Sequence, residues 1–445
     1  MIRDKEYDPD TLRQLLVDNA VGRNTQLDTF MGLLNSIKHS TFIAIDGKWG
    51  SGKTVFVKQL EYLNLCDFGA DEMPKVALRA GLSQDAIIDF QSKYLTHYYN
   101  AWQNDHHTDP LQSLLFGLIE TYYSDSKKRE KAKAVSKNAV KSVFIEGVKT
   151  LSKGLIDLND ITQVETIDDL VAEITTITER KQAISKIIDE IVPDDKKLLF
   201  IIDELDRCSP SFAIKLLEII KHYYDDDRIV FVIATNNVQL TYTVKKYYGQ
   251  DFDGYRYLNK FYDLVFHLPE IEPSSYISKQ LKIPDDGYWK HIMPREVAKH
   301  LDFTMREINR YYSSIALVMG YLGTESHFGN NLESNLTKYV LTPYALGLKL
   351  HDIAQYQAFI KGNGAEAFRD FVSDSEVVSH FVSRTMDKTK DLREPADVAK
   401  QTYTKILKAR SLPNQQENYH SKEALERFEN AINLINSTSK LDEDD

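Results

Sequence analysis

Gly47-Lys48-Trp49-Gly50-Ser51-Gly52-Lys53-Thr54 fills every fixed position of the pattern G-x-x-x-x-G-K-[ST], the spacing of a phosphate-binding loop. Gly47, Gly50 and Gly52 permit backbone conformations that other residues resist, so successive N–H groups can turn inward around a phosphate. Lys53 carries charge to the outer phosphates, Thr54 offers a hydroxyl to Mg2+, and Val55 leads into a helix whose positive end faces the anion. An ordinary glycine loop would not need its flanks, the apolar run Ile43-Ala44-Ile45 before it and Val55-Phe56-Val57 after it. The nucleotide-binding set is therefore Gly47, Lys48, Trp49, Gly50, Ser51, Gly52, Lys53, Thr54 and Val55.

A second set of groups lies far downstream. Leu198-Leu199-Phe200-Ile201-Ile202 ends in Asp203-Glu204, a Walker B pattern in which Asp203 shares Mg2+ with Thr54 and Glu204 orients or deprotonates an attacking water. A third apolar run, Ile229-Val230-Phe231-Val232-Ile233-Ala234, ends in Thr235-Asn236-Asn237. Asn236 is the first choice for a side chain that senses the γ-phosphate, with Asn237 and Thr235 behind it, and loop capping is the plainer role. The catalytic expectation is Lys53, Glu204 and Asn236, joined below by Arg306. Guanine is disfavoured because Asn259-Lys260 leads to Asp263 one residue out of register with Asn-Lys-x-Asp. ATP is the expected nucleotide.

These groups need strands to place them. A continuous apolar run bounded by polar residues is the mark of a buried parallel strand, and ligands sit at the carboxyl ends of such strands. The expected fold class is α/β, a P-loop NTPase with a mostly parallel sheet flanked by helices, plus a helical C-terminal domain. Expected boundaries are an N-terminal helical segment at 1–40, the core at 41–270 with a lysine-rich insertion at 124–165, a lid-like helical subdomain at 271–323, and the C-terminal domain at 324–445. Asp8-Pro9 opens a first helix and Leu27, Phe30, Met31, Leu34 and Ile37 mark a second. The turn Asp18 to Arg23 either passes the nucleotide base or only joins two helices. The chain is then less regular from the loop helix to Tyr98-Tyr99-Asn100-Ala101-Trp102, the end of a strand. Thr342-Pro343 opens a helix that runs on to Gly362, and Leu425, Phe428, Ile432 and Ile435 form a last one.

At 445 residues, 42% hydrophobic and 27% charged, the chain can bury a sizeable core and is not disordered throughout. A net charge of -11 argues against nucleic acid spread over the whole surface. Residues 127–153 are the exception, a basic amphipathic stretch suited to anionic lipid, nucleic acid or an acidic partner, or else a solvated helix. Cys66 and Cys208 cannot build a disulfide framework or a four-ligand zinc site. His106-His107 reads as a solvated pair. No apolar signal region opens the chain and no apolar run nears the about 18 residues of a membrane span. A cytoplasmic protein without transmembrane segments is expected, with peripheral membrane contact open through the basic stretch.

Asn100-Ala101-Trp102, Asp203-Glu204-Leu205-Asp206-Arg207-Cys208-Ser209-Pro210, Tyr257-Leu258-Asn259-Lys260-Phe261 and Val265-Phe266-His267-Leu268-Pro269 together resemble the KAP family of P-loop NTPases over about residues 15 to 320. The resemblance implies an ATPase of the additional-strand class, related to STAND and AAA-like proteins, that uses ATP for conformational or regulatory ends. Many members carry transmembrane helices between the Walker motifs, where this chain has its lysine-rich stretch. Many also have Asp-Asp where this chain has Asp203-Glu204. Met305 to Arg310 resembles the arginine-bearing helix that lies over the nucleotide, with Arg306 as the contact and Arg310 as alternative. Arg256 and Arg228 are weaker candidates for an arginine donated by a neighbouring subunit. The expected function is a Mg2+-dependent ATP-hydrolysing switch whose helical C-terminal half moves and binds a protein partner, in a chain that forms homo-oligomers. Anti-phage defence in bacteria is a setting implied by relatives alone. The alternatives are a signalling scaffold that holds ATP with negligible turnover and a small-molecule kinase.

Overall fold

The computed structural model describes residues 8–69, 71–107, 110–124, 184–223 except 186 and 190, 226–324, 331–386, 393–411 and 419–438. The basic stretch at 127–153 and the acidic tail lie outside the described residues. The chain divides into two compact units, residues 4–270 and 271–445.

The first unit begins with α1 (Pro9–Val17), capped by the Asp8 carboxylate on Thr11 N–H, and α2 (Asn24–Ser36). Then come β1 (Thr41–Asp46), α3 (Lys53–Leu65), α4 (Met73–Ala80), α5 (Gln84–Lys93), β2 (Tyr94–Asn100) and α6 (Pro110–Ser124). After the lysine-rich stretch come β3 (Lys197–Asp203), α7 (Pro210–Tyr223), β4 (Ile229–Thr235), α8 (Asn237–Tyr248), α9 (Gly254–Leu258) and β5 (Leu264–His267). The sheet order is β2-β3-β4-β1-β5, and every pairing is parallel. The α/β class is as expected, and β4 is the added strand between the two motif-bearing strands.

Two-residue alternation sends side chains to opposite faces of the sheet. Phe42, Ala44, Phe200, Ile202, Phe231 and Ile233 enter one core with α6 and α7, while Ile43, Ile45, Leu199, Ile201, Val230 and Val232 enter the other with α2, α3 and α5. Both faces are covered, which is why these strands read as unbroken apolar runs. Stacked rings bind neighbouring strands on the first face, with Phe231 centroids 5.1 Å from Phe42 and 5.4 Å from Phe200.

Two expectations are corrected. The stretch before Tyr98 contains α4 and α5, short helices that bury Val76, Ala77, Ala80, Ile87 and Phe90. The helix opened by Thr342-Pro343 is two helices, Thr342–His351 and Ile353–Ile360, because Asp352 turns extended and its carboxylate caps the second on Ala354 and Gln355 N–H. The regular elements among the second unit's described residues are all helices, and its last, Tyr419–Thr438, buries Leu425, Phe428 and Ile435. Among the described residues no helix is long and apolar enough to cross a membrane.

Candidate nucleotide site

Strand register creates the site. Asn100 pairs with Asp203, Asp203 with Ala234, and Asp46 with both Thr235 and His267. The carboxyl ends of the five strands thus present a row of polar side chains at one edge of the sheet, where residues distant in sequence meet.

The loop after β1 is shaped by glycine. Gly50 and Gly52 take φ of 75° and 90°, and a Cβ on Gly47 would stand 2.7 Å from Ser51 Oγ. Gly52 is the residue from which α3 starts, so the helix's first free N–H groups face the loop interior. Gly52→Ala is expected to destabilise the fold by about 1–2 kcal/mol through its left-handed backbone. Chemical denaturation of the two proteins checks this.

Lys53 donates to Gly47 O at 2.6 Å and Lys48 O at 3.0 Å, closing the loop on itself. An ammonium has three N–H donors, so one is left over for a phosphate. Burial pulls the Lys53 ammonium below the usual lysine range, opposed by the carboxylates of Asp206, Asp203 and Asp46. Arg23, 2% exposed, donates to Ser51 O at 3.0 Å, and burial pulls its guanidinium down to about 10. The turn from α1 to α2 therefore abuts the phosphate loop.

Asp203 is 1% exposed. Its carboxylate accepts from Tyr98 Oη at 3.1 Å and from Glu204 N–H at 2.9 Å, and burial pushes its carboxyl up to about 6, opposed by the Thr54 side chain. Lys58 Nζ lies 3.2 Å from the Tyr98 ring centroid. Glu204 follows in the left-handed region, φ 62°, which turns it out of line with the strand. Asn100 Nδ2 donates to its Oε2 at 3.1 Å, and Arg207 Nη1 pairs with its Oε1 at 3.0 Å. Arg207 in turn lies 5.4 Å from the Trp102 ring centroid.

At the end of β4, Asn236 Oδ1 accepts from Val238 and Gln239 N–H and caps α8. The plainer role is thus present, and only its amide nitrogen is left for a phosphate. Thr235 Oγ1 and Asn237 Oδ1 are buried without a hydrogen-bond partner among the described residues. Asp46 Oδ1 takes Asn237 N–H at 2.9 Å and its Oδ2 lies 3.2 Å from His267 Nδ1. Arg228 pairs with Asp226 and Asp189 at the opening of β4, the end of the strand away from this site. Arg306 is exposed on the first turn of Met305–Thr324 in the second unit, and Arg256 is exposed on α9.

The loop, the paired carboxylates and the intervening strand agree with one comparison: residues 23–319 match the model of the KAP family P-loop domain. The chain belongs to this family. As a KAP P-loop domain it is a nucleotide-binding NTPase fold. No curated protein matches the chain significantly. The KAP site holds residues that spacing did not assign. Tyr98 carried no local signal for a role, whereas Asn100, Asp206 and Arg207 stood within the stretches that carried the resemblance and Arg23 closed the turn read as passing the base or joining two helices.

The donor set fits a nucleotide with a divalent cation. Thr54 and Asp203 are hard oxygen donors of the kind Mg2+ takes. The carboxylates of Asp46, Asp203 and Asp206 act on Lys53, a charge balance that suits a triphosphate carrying a cation better than a bare one.

Proposed function

We propose that the chain is a Mg2+-dependent ATPase that acts as a molecular switch. The observation that carries this reading is the strand register, which sets Asp203 level with the ends of β4 and β1, while Trp49 of the phosphate loop donates its indole N–H to Asp206 at 2.6 Å. The phosphate loop and the acidic strand end therefore meet at one edge of the sheet. The loop N–H groups and the remaining Lys53 donor would hold the outer phosphates, and the cation, when bound between Thr54 and Asp203, would supply charge neutralisation. Glu204 would take the proton of a water through a carboxylate oxygen while Asn100 keeps the side chain aimed. Nucleotide state would be coupled to the helical unit and its protein partner.

Lys53→Ala tests the reading. It is expected to weaken ATP binding by at least about 100-fold, the cost of a lost charge-assisted contact in a buried site, and to remove phosphate release. Isothermal titration with Mg-ATP measures the first and a phosphate assay the second. Unchanged binding would refute the assignment.

A second reading is a scaffold that holds ATP nearly statically. It is favoured by the engagement of both Glu204 oxygens, by Asn100 and Arg207. Single-turnover hydrolysis slower than nucleotide dissociation would decide for it.

A further inference from the structure

We propose that Asp206 is a positioning residue of this site, a carboxylate that brackets the tip of the phosphate loop to the end of β4. The proposal rests on the ATPase reading and adds a residue outside both motifs. Asp206 lies in the tight turn Leu205–Arg207 directly after β3 and is 8% exposed. Its Oδ2 accepts the Trp49 indole N–H at 2.6 Å and the Asn236 backbone N–H at 3.1 Å. Since β4 lies between β1 and β3, this oxygen reaches past the end of one strand to hold the loop that leaves the next.

The consequence concerns order. Trp49 is 46% exposed on a segment bounded by glycines, where an unanchored side chain and its backbone would sample many conformations. The indole bond fixes the loop between Gly47 and Gly50 before a phosphate arrives, which removes part of the ordering cost of binding. The same oxygen sets Asn236, whose amide nitrogen is the group left for a phosphate. Because both donors share one oxygen, the bracket depends on geometry, and an amide oxygen can replace it.

The experiment compares Asp206→Ala, Asp206→Asn, Trp49→Phe and the Asp206→Ala/Trp49→Phe double variant for Mg-ATP affinity and phosphate release. Asp206→Ala is expected to weaken ATP binding about tenfold with a smaller change in kcat, and Trp49→Phe to do so by less. Asp206→Asn should stay within about threefold of the parent, and the double variant should be no worse than Asp206→Ala alone. Trp49 emission, read with Trp102 and Trp289 replaced by Phe, should shift in nucleotide-free Asp206→Ala and not in Asp206→Asn. Trp49→Phe keeps Asp206 in place, so the comparison survives if Asp206→Ala does not fold. An Asp206→Asn as impaired in kcat as Asp206→Ala would overturn the proposal, since charge would then matter and not position. A parent that hydrolyses ATP beside an indistinguishable Asp206→Ala and Trp49→Phe sinks this role alone, whereas a parent that binds no ATP sinks the ATPase reading and this role together.

Discussion

Asp203→Asn is expected to raise the stability of the nucleotide-free protein at neutral pH while abolishing its hydrolysis. Burial lifts the Asp203 carboxyl from 3.8 to about 6, so the folded chain holds that proton more tightly than the unfolded chain. The cost of keeping the group ionised begins above the unfolded value, grows as pH rises, and is complete above about 6. At about 1.4 kcal/mol per pKa step it reaches roughly 3 kcal/mol, as an upper bound for the gain from an uncharged amide. The asparagine oxygen can still accept from Tyr98 or Glu204 N–H. Thermal and denaturant unfolding at pH 7 and at pH 4 would show the variant's advantage at the first and its loss at the second. An Asp203→Asn protein less stable than the parent at both would contradict the burial argument.

Glu204→Gln should lower phosphate release by about 10²–10⁴-fold, the usual contribution of a positioned general base, and leave ATP affinity within a few-fold of the parent. Glutamine has the same shape and can keep its place beside Asn100 and Arg207, but it cannot take a proton. The phosphate loop, which carries the binding contacts, is untouched. Single-turnover phosphate release and Mg-ATP titration on the same preparation separate the two effects. Release at the parental rate would remove Glu204 from the role and leave the scaffold reading in possession.

The functional strands and their order of use were legible because they are buried on both faces and so carry unbroken apolar runs. The helix start at Asp8-Pro9 and the helix marked by Leu27, Phe30, Met31 and Leu34 were legible because a cap and apolar spacing are local. The helices α4 and α5 were missed because each is short and turns only a narrow apolar edge inward. Asn236 illustrates the limit at a single residue. Its position after an apolar strand suits both a phosphate contact and a helix cap, and only coordinates show its oxygen committed to the cap. Arg23 closes a turn that suits either a pass by the nucleotide or a plain link between helices, and only the fold sets it against the phosphate loop at Ser51.

By itself the amino-acid order determined the phosphate loop, the acidic pair and the α/β class, since each depends on residue types within a few positions of one another. Tertiary structure alone decided which groups share the pocket. Asn100 meets Glu204 across 104 residues and Trp49 meets Asp206 across 157, contacts set by the parallel register that brings the end of β2, the loop after β1 and the turn after β3 to one edge of the sheet.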